Sequence, residues 1–201
     1  MATIFIAPGV KDSDVSAPPT FDQKVKIFKA RMIGWKLAIA DALINGYTDA
    51  TGSKHPGIPE AGFAAMDILF TYFEPIAKYV GGYVNDNQSG DFFKKGVRLV
   101  FPDLNKQPDA KAAQFVEDTL WRAVRCGIYH SGMTKANIAI TGEIPNPMSV
   151  QSDHKLLTIN PHLLVKAETA HLEGYTNDLL QSGSGTQLSL NFLARFDDDN
   201  L

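Results

Sequence analysis

Residues 109–132 read DAKAAQFVEDTLWRAVRCGIYHSG. Val116, Leu120, Val124 and Ile128 recur every four residues, with Phe115 and Trp121 beside them, the spacing of a helix that buries one face. Asp109 stands where an N-cap belongs and Gly132 where a helix stops. The run predicts a long amphipathic helix central to a bundle. Near its C-terminal end lie Arg125 and His130, four residues between them. One is a permanent charge that forks onto phosphate oxygens, and the other a proton-transfer group near neutral pH.

Upstream, Thr20 can cap a helix in which Phe21, Val25, Phe28, Met32, Trp35, Ile39 and Leu43 repeat at three- and four-residue spacing and face inward, until Asn45-Gly46 stops it. The segment YTDATGSKHPGIP, residues 47–59, reads as an irregular loop carrying His55, either solvated or within reach of a substrate. A second helix is expected over about 60–79 with Phe63, Met66, Leu69, Phe70, Phe73, Ile76 and Ala77 inward and a kink at Pro75. Gly81-Gly82 ends it, and a short helix over 91–100 stops before Pro102.

Downstream of Gly132 the period changes to alternation. Residues 137–141 and 155–159 read as strands, joined through Pro145 and Pro147, and predict a two-stranded antiparallel hairpin at about 136–159 that leans on the helices. Asn160-Pro161 opens a helix through Leu180. SGSG at 182–185 is a flexible break, followed by a short apolar segment, Leu188 to Phe196, and the acidic tail Asp197-Asp198-Asp199. Residues 1–19, ending in Pro18-Pro19, form an N-terminal arm. The expectation is one domain over 1–201: arm 1–19, helical core 20–182, C-terminal segment and tail 183–201, fold class mainly α.

A chain of 201 residues holds one well-buried core, and 44% apolar with 20% charged residues excludes wholesale disorder. The start lacks a basic region before its short apolar run, and no stretch approaches the roughly 18 apolar residues of a membrane span. A cytoplasmic protein with no membrane partner is expected. Cys126 is the single cysteine, which excludes an intramolecular disulfide framework and a multi-thiolate zinc site. A net charge of -3 and pI near 5.9 argue against coating nucleic acid by bulk electrostatics but leave room for a local basic site. Lys24, Lys26, Lys29 and Arg31, and again Lys94, Lys95 and Arg98, read as solvated helix faces.

Arg125 and His130 together supply what cleavage of RNA through its own 2′-hydroxyl requires, namely proton transfer and charge stabilisation on the phosphorane, without a metal. Five residues at about 100° each turn His130 about 140° from Arg125 on a straight helix. Either the helix loosens at Gly127 or two subunits share the site. His130 also fits an ordinary helix C-terminus, where an imidazolium favours the dipole. Arg122, one turn earlier, reads as a phosphate contact or as the partner of Asp118. Tyr129, Ser131 and Lys135 are further candidate substrate-binding residues, with half-buried tyrosine, turn and strand-edge readings beside them. A Cys126–His130 thiol–imidazole dyad is disfavoured, because the C-terminal end of a helix dipole raises a thiol pKa. Glu168 and His171 form half of a carboxylate–histidine metal site, or else a surface ion pair or satisfied side chains; no second pair exists, and His162 lies nine residues from His171 on the opposite face. No metal and no cofactor are assigned.

Arg-Cys-Gly-Ile-Tyr-His-Ser-Gly at 125–132, late in a long helix and followed by strands and a last helix, resembles the HEPN superfamily (higher eukaryote and prokaryote nucleotide-binding), in particular its plasmid- and defence-associated branch. The resemblance spans about residues 60–180 and rests on Arg125 and His130. It implies a bundle of roughly four to five helices with an inserted hairpin, and a metal-independent endoribonuclease of a toxin–antitoxin or anti-phage system with Arg125 and His130 catalytic. It also implies RNA as substrate, a homodimer through the motif helix, and a possible antitoxin or defence partner. The alternative it carries is a catalytically inactive HEPN-like module that binds RNA, nucleotide or another protein.

Overall fold

Thr20 begins the first long helix with a reciprocal cap. Its hydroxyl accepts from the Gln23 N–H at 3.3 Å, and the Thr20 N–H donates to the Gln23 carboxamide oxygen at 2.8 Å. The computed structural model describes residues 4–84, 87–106, 110–127, 134, 137–151, 153 and 155–200. Helix α1 (Phe21–Met32) passes through a π-helical turn at Ile33–Leu37 into α2 (Ala38–Asn45). There the Ala38 N–H reaches back five residues to the Ile33 carbonyl. This turn corrects the inward assignment of two side chains. The buried stripe runs Val25, Phe28, Met32, then Leu37 and Ala40, a five-residue step in the middle. Trp35 and Ile39 are left 51% and 45% exposed.

Gly46, at φ 78, closes α2, and a Cβ there would lie 2.1 Å from the His55 carbonyl oxygen, so only glycine fits. The loop read as irregular contains a small hairpin, β3 (Tyr47–Thr48) and β4 (Lys54–His55). Ahead of α1 the arm folds as well: β1 (Phe5–Ala7) pairs with β2 (Val10–Lys11), Ala7 and Val10 are buried, and the Arg31 Nε donates to the Ile6 carbonyl at 2.9 Å.

The helix expected over 60–79 is two helices, α3 (Gly62–Leu69) and α4 (Phe73–Gly81). The break falls before Pro75, which sits in the first turn of α4, where its missing N–H costs nothing. Met66, Leu69, Phe70, Phe73 and Ile76 are buried as their spacing indicated. Helix α5 (Ser89–Val100) lies so close to α4 that a Cβ on Gly96 would come within 1.8 Å of the Phe73 carbonyl oxygen.

Helix α6 (Ala110–Thr119) enters a second π-helical turn at Leu120–Arg125, where the Cys126 N–H reaches back to the Trp121 carbonyl. The seam Val116, Leu120, Val124 is buried, and the Trp121 ring packs 5.3 Å from that of Phe93 on α5. Asp109 and Ile128 lie outside the described residues. In the second basic group Lys95 and Arg98 are exposed as expected, but two of the cations also have partners. Arg98 donates from Nε and Nη2 to the buried Glu117 at 2.6 Å each, and Lys94 pairs with Asp118, which ties α5 to α6.

The two-stranded antiparallel hairpin is corrected to a three-stranded mixed sheet. Strands β5 (Ile138–Ile140), β6 (Met148–Val150) and β7 (Leu157–Ile159) lie in the order β5-β7-β6, with β5 parallel and β6 antiparallel to the central β7. Both extended segments read from the alternation are present. Parallel neighbours need a connection of about a dozen residues or more, and the Pro-containing connection supplies it along with the third strand. Leu157 and Ile159 are buried against the helices.

Asn160 accepts from the His162 and Leu163 N–H groups at 3.1 and 3.3 Å and so opens α7 (Pro161–Ser182) as its sequence indicated. Its Nδ2 donates to the Gly142 and Ile144 carbonyls at 3.1 and 2.8 Å, fastening the sheet to the helix. The apolar segment and acidic tail are one helix, α8 (Gln187–Asp199), with Phe192 and Phe196 in the core. Lys24 holds Asp197, while Arg195 and the Tyr79 hydroxyl hold Asp199 at 2.5 and 2.7 Å. Those aspartates close the bundle rather than extend from it. Among the described residues no helix is long and apolar enough to cross a membrane.

Candidate functional site

In an uninterrupted α-helix, Trp35 and Ile39 would follow Met32 at the core positions. The π turn gives their place to Leu37, and Lys36 comes out half-buried at the edge of the core. It lines a cleft of about 430 Å³ with Arg31 of α1, Lys78 of α4, Arg125 at the end of the second π turn and Arg195 of α8. Five cations thus face two carboxylates, Glu74 and Asp199, over a floor that includes Phe28, Phe70 and Tyr79. Two other hollows of comparable size gather fewer charges. One is lined by the starts of α3 and α7 with β5, the other by the arm, α1 and α8.

Most of the cleft's cations are held by the fold. Lys78 meets Glu74 at 2.8 Å, Arg195 meets Asp199 and Asp198 at 2.5 and 3.2 Å, and Arg31 donates to the Ile6 carbonyl and, at 2.7 Å, to the Asn200 side chain. Lys36 is different. Its Nζ makes a long 3.5 Å contact to the Thr71 carbonyl, and no carboxylate stands within ion-pair distance of it among the described residues. Burial lowers its pKa, the Glu168 carboxyl behind it opposes that, and the Arg125 charge beside it adds to it. Converging donors of this kind can meet dispersed negative charge carried on several acceptor oxygens.

Behind Lys36 lies a polar layer inside the bundle. Glu168 of α7 is 0% exposed, and neither carboxylate oxygen has a hydrogen-bond partner among the described residues. Burial raises its pKa well above the ordinary value, with Lys36 pulling the other way. One turn on, His171 Nδ1 lies 2.9 Å from the hydroxyl of the buried Tyr72, and burial lowers the imidazole pKa. Burial likewise raises the pKa values of Tyr72 and Tyr175. This corrects the reading of a surface ion pair or satisfied side chains for Glu168, which is neither exposed nor satisfied, while His171 is satisfied by Tyr72. Among the described residues no group of three or more His, Cys, Asp and Glu side chains could hold a metal ion.

Of the residues singled out in the sequence, Arg125 stands in the cleft. Arg122 is exposed and not among the lining residues, and its expected partner Asp118 is taken by Lys94. Tyr129, His130, Ser131 and Lys135 lie outside the described residues, and Cys126 is half-buried beside Arg125. His55 is fixed rather than loose. Its Nε2 lies 2.8 Å from Asp49 Oδ2 and its ring stacks on Tyr47 at 4.6 Å. Hydrogen bonds from Thr51 and His55 hold the Asp49 pKa down to about 2, so this hairpin is a self-contained lock. His162 Nδ1 lies 2.7 Å from the Asn45 side chain.

Lys36, Lys78 and Arg195 were missed as site residues, and Glu168 was weighed only for a metal site. Glu168 carried a further signal, for it falls between Leu164 and Leu172 on the buried stripe of α7.

The chain matches no protein-family model, no curated protein and no solved structure.

Proposed function

We propose that the chain is a HEPN-like, metal-independent endoribonuclease whose Arg125 cleft holds the phosphate at the cleaved bond. The observation that carries this reading is the convergence of Arg125 with four further cations in one cleft of a protein whose net charge is -3. Charge gathered against the overall balance supports a local anion site.

In the reaction the 2′-hydroxyl oxygen attacks the adjacent phosphorus while its proton leaves to a base. The bond to the 5′-oxygen then breaks and that oxygen takes a proton. The products are a 2′,3′-cyclic phosphate and a 5′-hydroxyl. Arg125 places two N–H donors on the non-bridging oxygens, where charge grows in the phosphorane. His130 is the proton-transfer group. A toxin–antitoxin or anti-phage setting and a dimer through the helix that carries Arg125 belong to the same proposal.

A second reading rests on the same cleft, because five cations bind phosphate whether or not a proton-transfer group completes them. It is a catalytically silent module for RNA or nucleotide. Cleavage of mixed-sequence RNA in EDTA by wild type, Arg125→Ala and His130→Ala, with end-group analysis, decides between them. Loss of cleavage in both variants, with 2′,3′-cyclic phosphate ends from wild type, is expected. Folded but inert wild type that still binds RNA would leave the binding module.

A further inference from the structure

We propose that Lys36 is a second phosphate-binding residue of the Arg125 cleft, and that the buried Glu168 behind it is its positioning residue. This rests on the reading of the cleft as a phosphate site and assigns to it the group that makes its grip depend on pH.

The argument begins with what is incomplete. Lys78 and Arg195 have carboxylates at 2.8 and 2.5 Å, whereas Lys36 has a long carbonyl contact and a carboxyl group behind it outside hydrogen-bond reach. A lysine half removed from water needs a counter-charge, and a carboxyl group wholly removed from water needs one more. Each is the nearest compensation for the other: Lys36 and Glu168 are either both charged or both neutral without changing the net charge of the core. A phosphate entering from the Arg125 side adds negative charge next to the ammonium and favours the charged pair. The proton that Lys36 then carries comes from Glu168 or from solvent, and the carboxylate left behind holds the ammonium at the cleft wall.

Charged and titratable groups face Lys36 from every element packed on it. Glu168 comes from α7, and Tyr72 and Tyr175 stand with Glu168 in the polar layer behind it. Arg125 comes from the second π turn, Arg31 from its own helix, Glu74 and Lys78 from α4, and Arg195 and Asp199 from α8. Arginines do not titrate in the accessible range, and burial keeps both tyrosines protonated. Burial also lowers the Lys36 pKa, so its charge is lost earlier on a rise in pH than that of a solvated lysine. Lys78 is the other lysine of the cleft, so a test must separate the two.

The test is fluorescence anisotropy of a fluorescein-labelled 2′-O-methyl oligouridylate, which cannot be cleaved, titrated with the full chain from about pH 6 to about pH 10. Thermal melts check the folding of each variant. Wild-type affinity is expected to fall about tenfold as pH rises, the value of one charged hydrogen bond. Lys36→Arg should stay within about twofold across the range, since a guanidinium keeps its charge. Lys36→Met should bind about tenfold more weakly than wild type even near pH 6. Glu168→Gln, which removes the group that raises the Lys36 pKa, should move the fall to lower pH. A fall in Lys36→Arg equal to that of wild type would assign the titration to Lys78 and overturn the proposal, as would wild-type affinity in Lys36→Met. Binding lost in Arg125→Ala but untouched by the Lys36 variants overturns this inference and leaves the phosphate reading standing. Wild type that binds no probe, or binding indifferent to Arg125→Ala, overturns both.

Discussion

Replacing Glu168 should change both the stability of the fold and the way it depends on pH. The side chain is fully buried and both oxygens lack partners among the described residues. An unpaired polar group buried in this way costs about 1–3 kcal/mol. Glu168→Met keeps the length, removes the polar atoms and is expected to gain that amount near pH 5, a rise of roughly 2–12 °C in Tm for a chain of this size. The pH dependence follows from the proton. The folded pKa lies above the ordinary 4.5, so the folded chain keeps the proton where the unfolded chain has lost it. The stability carried by the protonated group is complete below about pH 4.5 and is lost as pH rises through the folded pKa, at up to about 1.4 kcal/mol per pH unit. His171 acts with the opposite sign. Burial lowers its pKa from 6.5, so its contribution is complete above about pH 6.5 and is lost as pH falls through the folded value. Subtracting the Glu168→Gln curve from that of wild type cancels the His171 part. The assay is urea unfolding followed by circular dichroism at intervals from about pH 5 to about pH 8. The expected difference is a wild-type curve that declines relative to Glu168→Gln as pH rises. Parallel curves would refute the reasoning, because they would mean that Glu168 holds its proton equally in the folded and unfolded chain.

Three further outcomes follow from the packing. Gly96→Ala should cost at least about 2 kcal/mol and lower Tm by roughly 5 °C or more, since its Cβ would meet the Phe73 carbonyl at 1.8 Å; thermal unfolding reads it, and a wild-type Tm would mean that α4 and α5 part easily. The π turn at 33–37 inverts the usual ranking of an aromatic against an aliphatic residue. Trp35→Ser should change stability by about 0.5 kcal/mol or less and Leu37→Ala should cost about 2–5 kcal/mol, and equal losses in urea unfolding would place Trp35 in the core after all. Asn160→Ala should cost about 2 kcal/mol by removing the α7 cap and both carbonyl bonds, whereas Asn160→Asp keeps the cap acceptor and should lose about half as much in the same assay.

The parts of the fold that could be read in advance are those settled by neighbours in the chain. Thr20 with Gln23, and Asn160 with Pro161, mark helix starts because each cap is a bond between residues two or three apart. The seam Val116, Leu120, Val124 needs one helical period and has it. Strand pairing is different. Alternation tells which side chains share a face but not which strand lies alongside, so 137–141 and 155–159 were recognisable as strands while their direct parallel pairing, with β6 on the far side of β7, was not. The aspartates at 197–199 read as a solvated tail because the groups that hold them, Lys24 and Tyr79 among them, are more than a hundred residues away. Arg125 was legible from its residue type and its place late in a helix. The other four cations come from α1, the π turn after it, α4 and α8, and only tertiary packing brings them to one cleft.

The π turn at 33–37 links that packing to the site. With an unbroken α period Trp35 and Ile39 would follow Met32 into the core, as their spacing indicated, with Lys36 at the edge of that stripe. One extra residue per turn moves Leu37 into their place and leaves Lys36 at the boundary between core and cleft, close enough to Glu168 and Arg125 to feel both. The lysine is thereby excluded from the core without reaching open water, and that intermediate position is what lets an anion in the cleft decide its charge. A deletion of Lys36 would restore the α period with Leu37 four residues after Met32, so the core stripe would survive while the cleft lost its ammonium. The extra residue of the turn is therefore a condition of the site more than of the fold.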